Sequence, residues 1–293
     1  MQRTLLLGVL LPVASTVIAM LVVTRLRRGD DPRTEGIGWE GALLAVIYAG
    51  VQLLLDPWTG LPPANIMEWP PLIAIATLLV SLFDDDRVRR KRWVALGVVV
   101  AGAGAVLLLL RPAAFSRVPT GSGILWTGAA VTAWLALVGL WSKAAARVPS
   151  REALTALAIS AGASAAAMLL FDSLTYAQHI GIIALIMGVM AIMAWSRGIT
   201  QQGSRSLARV LAVILPGWWI LSTTMSDLPV WGLPLLAGAG ASAWVGALPA
   251  VATLRPWKRV VLVGVLAVIV VAPLMGWGII QSLHQVSSSG EGY

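Results

Sequence analysis

Ten apolar runs, most of them near the roughly 20 residues a helix needs to cross about 30 Å of hydrocarbon, divide this chain from end to end. They fall at 5–23, 40–55, 64–83, 93–110, 122–141, 153–171, 179–195, 207–222, 229–251 and 260–282. The bilayer core holds no water to serve unpaired backbone groups, so each crossing has to be a helix. The expected fold is all-α: a polytopic transmembrane helix bundle of about ten spans with both termini outside. Composition agrees, because 58% of the 293 residues are hydrophobic and 12% charged, far more apolar side chain than one water-soluble core buries. The third run is the weakest. Pro71 to Phe83 covers only about 20 Å at 1.5 Å per residue, so this span either recruits Ala64 to Trp69, with Glu68 at the outer interface, or is partly re-entrant.

Direction comes from the cations. The stretch 84–93 reads Asp-Asp-Asp-Arg-Val-Arg-Arg-Lys-Arg-Trp and holds five cations between Arg87 and Arg92. Hydrocarbon cannot host such a cluster and cytoplasmic loops collect Lys and Arg, so this stretch anchors the helices beside it with their shared end inside. Counting alternate loops from there places 18 of the 21 cations inside and leaves Arg3, Arg111 and Arg117 outside. One span more or fewer in the middle scrambles that bias. The tryptophans agree: Trp39, Trp93, Trp141, Trp195 and Trp257 fall near inner ends, and Trp58, Trp69, Trp126, Trp231 and Trp277 near outer ones.

The formal charge of +8 does not indicate nucleic acid, because the cations sit in short loops and form no basic domain. The first run is followed by Arg25, Arg27 and Arg28, a stop-transfer pattern, and it is too long and lacks a clear small-x-small site for a cleaved signal peptide. Cysteine is absent, which excludes disulfides and thiolate chemistry. Abundant Arg, Ala, Val and Gly match a GC-rich bacterial genome, so the expected location is the cytoplasmic (inner) membrane of a bacterium. Residues 1–284 read as one transmembrane domain and 285–293 as a disordered polar tail. Small residues mark helix-packing seams at Gly97, Ala101 and Ala105, at Gly162 and Ala166, and at Gly238, Ser242 and Gly246.

Two internal repeats compete. Leu44-Ala45-Val46-Ile47 recurs as Leu211-Ala212-Val213-Ile214, and Lys91-Arg92 with Val94, Gly97 and Val98 recurs as Lys258-Arg259 with Val261, Gly264 and Val265; this register is parallel. The rival pairs Ala101-Gly102-Ala103-Gly104-Ala105 with Ala237-Gly238-Ala239-Gly240-Ala241, each downstream of a proline (Pro71, Pro216) and an acidic loop (Asp86, Asp227). Five spans separate those copies, so the second is inverted, the arrangement that builds a midplane site between two halves of a transporter. On these residues, roughly 70–250 of the chain resembles the drug/metabolite transporter superfamily of EamA type, in which a proline-led helix, an acidic loop and a Gly-rich helix close each half. The resemblance implies a transporter of small solutes or metabolites.

Catalytic chemistry is thinly supplied. His179 and His284 are the only histidines, with no metal-ligand spacing, and no phosphate loop or nucleophile arrangement is present, so no catalytic residue, metal site or cofactor is expected. No ionisable residue lies at the centre of a span, which argues against a proton-coupled pump. Candidate cavity-wall residues for a substrate are Tyr48, Gln52, Trp134, Pro216, Trp218 and Trp219, because the Pro216-Gly217 break frees backbone groups that need polar partners. Asp56, Glu68, Asp172, His179 and Asp227 fall at outer helix ends and form a candidate vestibule; solvated loop acids are the plain alternative. The expected function is small-solute transport, with a non-transporting subunit or anchor of a larger assembly as the alternative. A transporter of an unknown small solute requires a solvated pocket at Gln52 and Trp218. A non-transporting subunit or anchor requires closed packing there. Lipids are the expected partners, together with a membrane-protein partner or a second copy, and no nucleic acid.

Overall fold

The computed structural model describes residues 6–27, 39–57, 68–82, 120–171, 173–196 and 198–289. The anchor at 84–93, the expected span 93–110 with its Gly97 seam, and Asp172 lie outside the described residues. Among the described residues the structure is all-helical, and six helices are long and apolar enough to cross a membrane. The chain is a multi-pass, membrane-embedded helical protein.

A π-helical turn at Leu6–Leu10 leads into α1 (Leu11–Arg27), followed by α2 (Trp39–Leu55), α3 (Trp69–Leu82), α4 (Thr120–Arg147), α5 (Ser150–Leu170) and α6 (Leu174–Ser196). The chain continues through α7 (Gln201–Met225), α8 (Gly232–Ala241), a 3-10 segment (Ser242–Ala247), a single turn at Pro249–Ala252, and α9 (Pro256–Ser289). Local signals set these ends. Thr200 caps α7 by accepting from the Gly203 N–H at 3.1 Å, and Gly198 takes the left-handed φ of 77° that turns α6 into α7. Gln201 donates to the Ala145 and Val148 carbonyls at the last turn of α4, supplying partners to groups that a helix end leaves unmet.

α7 is the centre of the bundle. Of its apolar window 78% is buried, against 28% for α1 and for α9, and it packs on α2, α3 and α4. α5 and α6 form a tight antiparallel pair, and α8 and α9 close over α5. On α9, Val261, Val265, Val268, Ile269 and Ile280 are each about half exposed. An outer face this apolar belongs against lipid rather than water.

Side-chain contacts sort the helix ends. Glu40 next to Gly203, Ser150 bonded to Thr200, Arg151 over Trp195, Arg147 over Trp244 and Arg259 paired with Glu152 define one end, which also carries Lys143, Arg255 and Lys258. Asp56 against His179 and Trp231 against Trp277 define the other. The described cations thus gather at one end of the bundle.

Three expectations change. The span expected at 229–251 is broken: ten residues of α-helix give way to 3-10 geometry at Ser242, and the two pieces together reach about 27 Å at 1.5 and 2.0 Å per residue. The C-terminal stretch expected to be coil from Gln285 is helical as far as Ser289. Among the described residues the seam at Gly162 has no neighbour, because a Cβ there would meet nothing within 4 Å. Within the described residues the third span contributes a 14-residue helix, Trp69–Leu82, directly after Glu68, and residues 64–67 lie outside the described residues.

Candidate functional site

Consecutive residues on a helix point about 100° apart, so Trp218 and Trp219 of α7 face different neighbours. Each organises its own cluster. Trp218 is fully buried, and its Nε1 donates to Tyr48 Oη at 2.8 Å. The His179 ring from α6 stacks on it with centroids 5.0 Å apart and planes 16° apart, and Tyr176 leans in at 5.7 Å. Tyr48, Gln52 and Asp56 follow at four-residue spacing along one face of α2, which brings the last two to the same histidine. His179 Nε2 lies 3.2 Å from Asp56 Oδ2 and 3.4 Å from Gln52 Nε2. His179 is 2% exposed and Asp56 58%, so the pair joins a buried imidazole to a carboxylate in the surroundings. Donation to Asp56 requires a proton on Nε2. The Gln52 amide orientation that presents Oε1 to that N–H supplies a partner to an oxygen otherwise without one.

Trp219 faces the other way. Its Nε1 donates to Ser164 Oγ at 2.9 Å, Ser164 donates to the Ser160 carbonyl at 2.7 Å, and Ser160 donates to the Leu236 carbonyl of α8 at 2.7 Å. Trp141 meets Trp219 edge-on at 6.2 Å and donates to the Ala237 carbonyl at 3.1 Å. Gly240 permits that approach, since a Cβ there would sit 2.6 Å from the Trp141 indole. Beside this cluster, between α4, α7 and α8, lies a cavity of about 810 Å³ whose wall includes Trp134, Pro216 and Trp219.

The six expected cavity residues therefore divide. Trp134, Pro216 and Trp219 line the cavity; Tyr48, Gln52 and Trp218 pack on the opposite side of α7, with exposures of 0%, 1% and 0% and no cavity at that point. Of the expected outer rim, Asp56 and His179 are joined, Glu68 is buried at the start of α3, and Asp227 is exposed between α7 and α8.

Two buried acids at the basic end escaped the sequence reading. Glu152 is wholly buried in the first turn of α5, with Arg259 Nε of α9 3.1 Å from Oε1. Its Oε2 occupies space left open by Gly246, and Glu40 likewise occupies the space left by Gly203. Glu152 falls one residue before the expected span 153–171; Gly246, already marked as a packing position, was the available signal. Among the described residues no group of three or more His, Asp or Glu side chains could hold a metal ion. No protein-family model matches this chain, and no curated protein matches its sequence.

Proposed function

We propose that this chain is a non-transporting integral membrane protein, a subunit or anchor that contributes a self-packed bundle to a larger membrane assembly. The observation that carries this reading is the closed packing at Tyr48, Gln52 and Trp218, where a solute path of the drug/metabolite transporter kind requires a polar cavity. Trp218 pairs there with Tyr48 and His179 Nε2 with Asp56, while His179 Nδ1 and Gln52 Oε1 are buried without a partner among the described residues. The reading assigns the chain no catalysis and no cofactor. Its basic end faces the cytoplasm in a bacterial inner membrane, in keeping with the one-sided cations.

Small-solute transport is the second reading, and two helix interruptions favour it. Pro216 withholds an N–H from the α7 ladder, and α8 changes to 3-10 geometry at Ser242. Discontinuous helices of this sort build solute sites in transporters. Against it, the break at Ser242 is satisfied internally, with its hydroxyl 2.7 Å from the Ala239 carbonyl and 3.3 Å from that of Val263.

Because the chain has no cysteine, single cysteines report cleanly. Gln52→Cys, Ser164→Cys and Ser222→Cys in the full-length protein are expected to resist a small membrane-impermeant thiol reagent from either face of sealed vesicles. In native membranes the protein is expected to migrate well above its own 30.8 kDa. Labelling of Gln52→Cys from one face and Ser164→Cys from the other, in a protein that migrates alone, establishes a polar path and the transport reading instead.

A further inference from the structure

Every residue of the connection 247–258, from the 3-10 segment into α9, is exposed except Val251, although Leu248, Leu254 and Trp257 are large and apolar. The connection lies at the basic end of the bundle. Gly246 fixes it there, because a Cβ at that position would meet the Glu152 carboxylate at the start of α5 and, at 3.4 Å, the Val148 side chain just past α4. Arg259 Nε, 3.1 Å from Glu152 Oε1, ties the first turn of α9 to the same corner.

Charge at this corner is one-sided. Lys143 and Arg147 on α4, and Arg255 and Lys258 in the connection, are exposed, and none of the four has a carboxylate partner among the described residues. The described acids of this end, Glu40 and Glu152, are wholly buried and leave the surface cations uncompensated. The sequence supplies no acid between Asp227 and Glu291. Two indoles stand among the cations: the Arg147 guanidinium lies 5.0 Å over the Trp244 ring, and the Lys258 ammonium 5.6 Å from that of Trp257. Such stacking leaves N–H donors free for an anion. An indole takes up the headgroup level of a bilayer, and exposed leucines beside it belong below the phosphates, so the connection holds its cations at phosphate depth.

We infer that this corner binds the head group of an anionic phospholipid in the leaflet at the basic end. Arg147, Arg255 and Lys258 take the phosphate, and Leu248, Leu254 and Trp257 enter the acyl boundary beneath it. A zwitterionic head brings its own ammonium into a corner already crowded with cations, so a head of net negative charge is selected. A water-soluble polyanion matches the cations and offers nothing to the three apolar side chains. The inference stands whether or not the bundle transports.

The test reconstitutes the full-length protein in phosphatidylcholine vesicles with phosphatidylglycerol as the minor lipid. The protein is released into mild detergent and its retained lipids are counted by native mass spectrometry. Phosphatidylglycerol is expected to be enriched several-fold over its share of the vesicle, and Arg255→Gln with Lys258→Gln to return it to that share. Arg147→Gln, expected to lower the enrichment too, serves if the double variant does not fold. Arg25→Gln removes an exposed cation from α1, which packs on α2 and α6, and is expected to leave the enrichment unchanged. Spin labels at Leu248→Cys and Leu254→Cys are expected to be relaxed more by oxygen than by a water-soluble nickel chelate, as at the acyl boundary. Retention in the vesicle ratio by the native chain overturns the inference, as does enrichment that survives a folded double variant. An equal loss in Arg25→Gln overturns it too, because net charge alone then attracts the lipid. Labels that report water at both leucines overturn it in favour of a soluble partner.

Discussion

Tyr48 and Trp218 illustrate how little slack the core has at the level of single atoms. The Tyr48→Phe variant keeps the shape and leaves the Trp218 N–H buried without an acceptor, a loss of about 1–3 kcal/mol. The expected result is a lower denaturation midpoint of the detergent-solubilised protein with unchanged helix content by circular dichroism. Glu152 carries a larger effect, because its removal strands Arg259. Glu152→Ala is expected to cost about 3–5 kcal/mol, and pairing Glu152→Leu with Arg259→Met is expected to recover most of it, since breaking a buried pair costs more than replacing it. Unfolding of the single and double variants checks both. If Glu152→Ala alone is neutral, the ion pair has no structural role. Gly246→Ala places a methyl against the same carboxylate, so its cost is expected to fall sharply in the Glu152→Ala background.

Glycines separate the elements that touch from those that only pass near one another. Gly240→Ala drives a Cβ into the Trp141 indole and is expected to loosen α8 from α4, lowering stability and breaking the bond from Trp141 to Ala237. Gly162→Ala meets nothing among the described residues and is expected to stabilise α5 by up to about 1 kcal/mol through helix propensity alone. Thermal unfolding of the two variants should move in opposite directions. Both positions read alike in the sequence, as small residues on apolar helices, because a seam pattern states that a close approach is tolerated and not that a partner arrives. The helices themselves were easier to read. The expected span 40–55 matches α2 within a residue at its start, whereas α4 runs on past its expected end at 141 to Arg147, since hydropathy marks where lipid stops and not where helical hydrogen bonding does. The break at Ser242 was invisible: Gly238, Ser242 and Gly246 fit an unbroken seam, and the change to 3-10 geometry depends on partners from α4, α5 and α9.

Across the whole molecule, the gathering of the described cations at one end of the bundle was legible because charge sorting is a bilayer effect that needs no tertiary detail. It yields a direct expectation. Single cysteines at Arg147 and Lys258 should react from the cytoplasmic face only, and those at Asp56 and Asp227 from the opposite face only, as measured by impermeant labelling of oriented vesicles. The division of Tyr48, Gln52 and Trp218 from Trp134, Pro216 and Trp219 was not legible, since it depends on which sides of α7 are covered by α2, α6, α4 and α8. That central helix has an implication for biosynthesis. Its mean hydropathy is 1.4, against 2.6 for α9, so α7 partitions into a membrane less readily by itself. The helices on which it packs most, α2, α3 and α4, all leave the ribosome before it does. The nascent chain therefore carries its own receptacle into the translocation channel, and a segment less oily than α9 enters the membrane by docking onto siblings already in place.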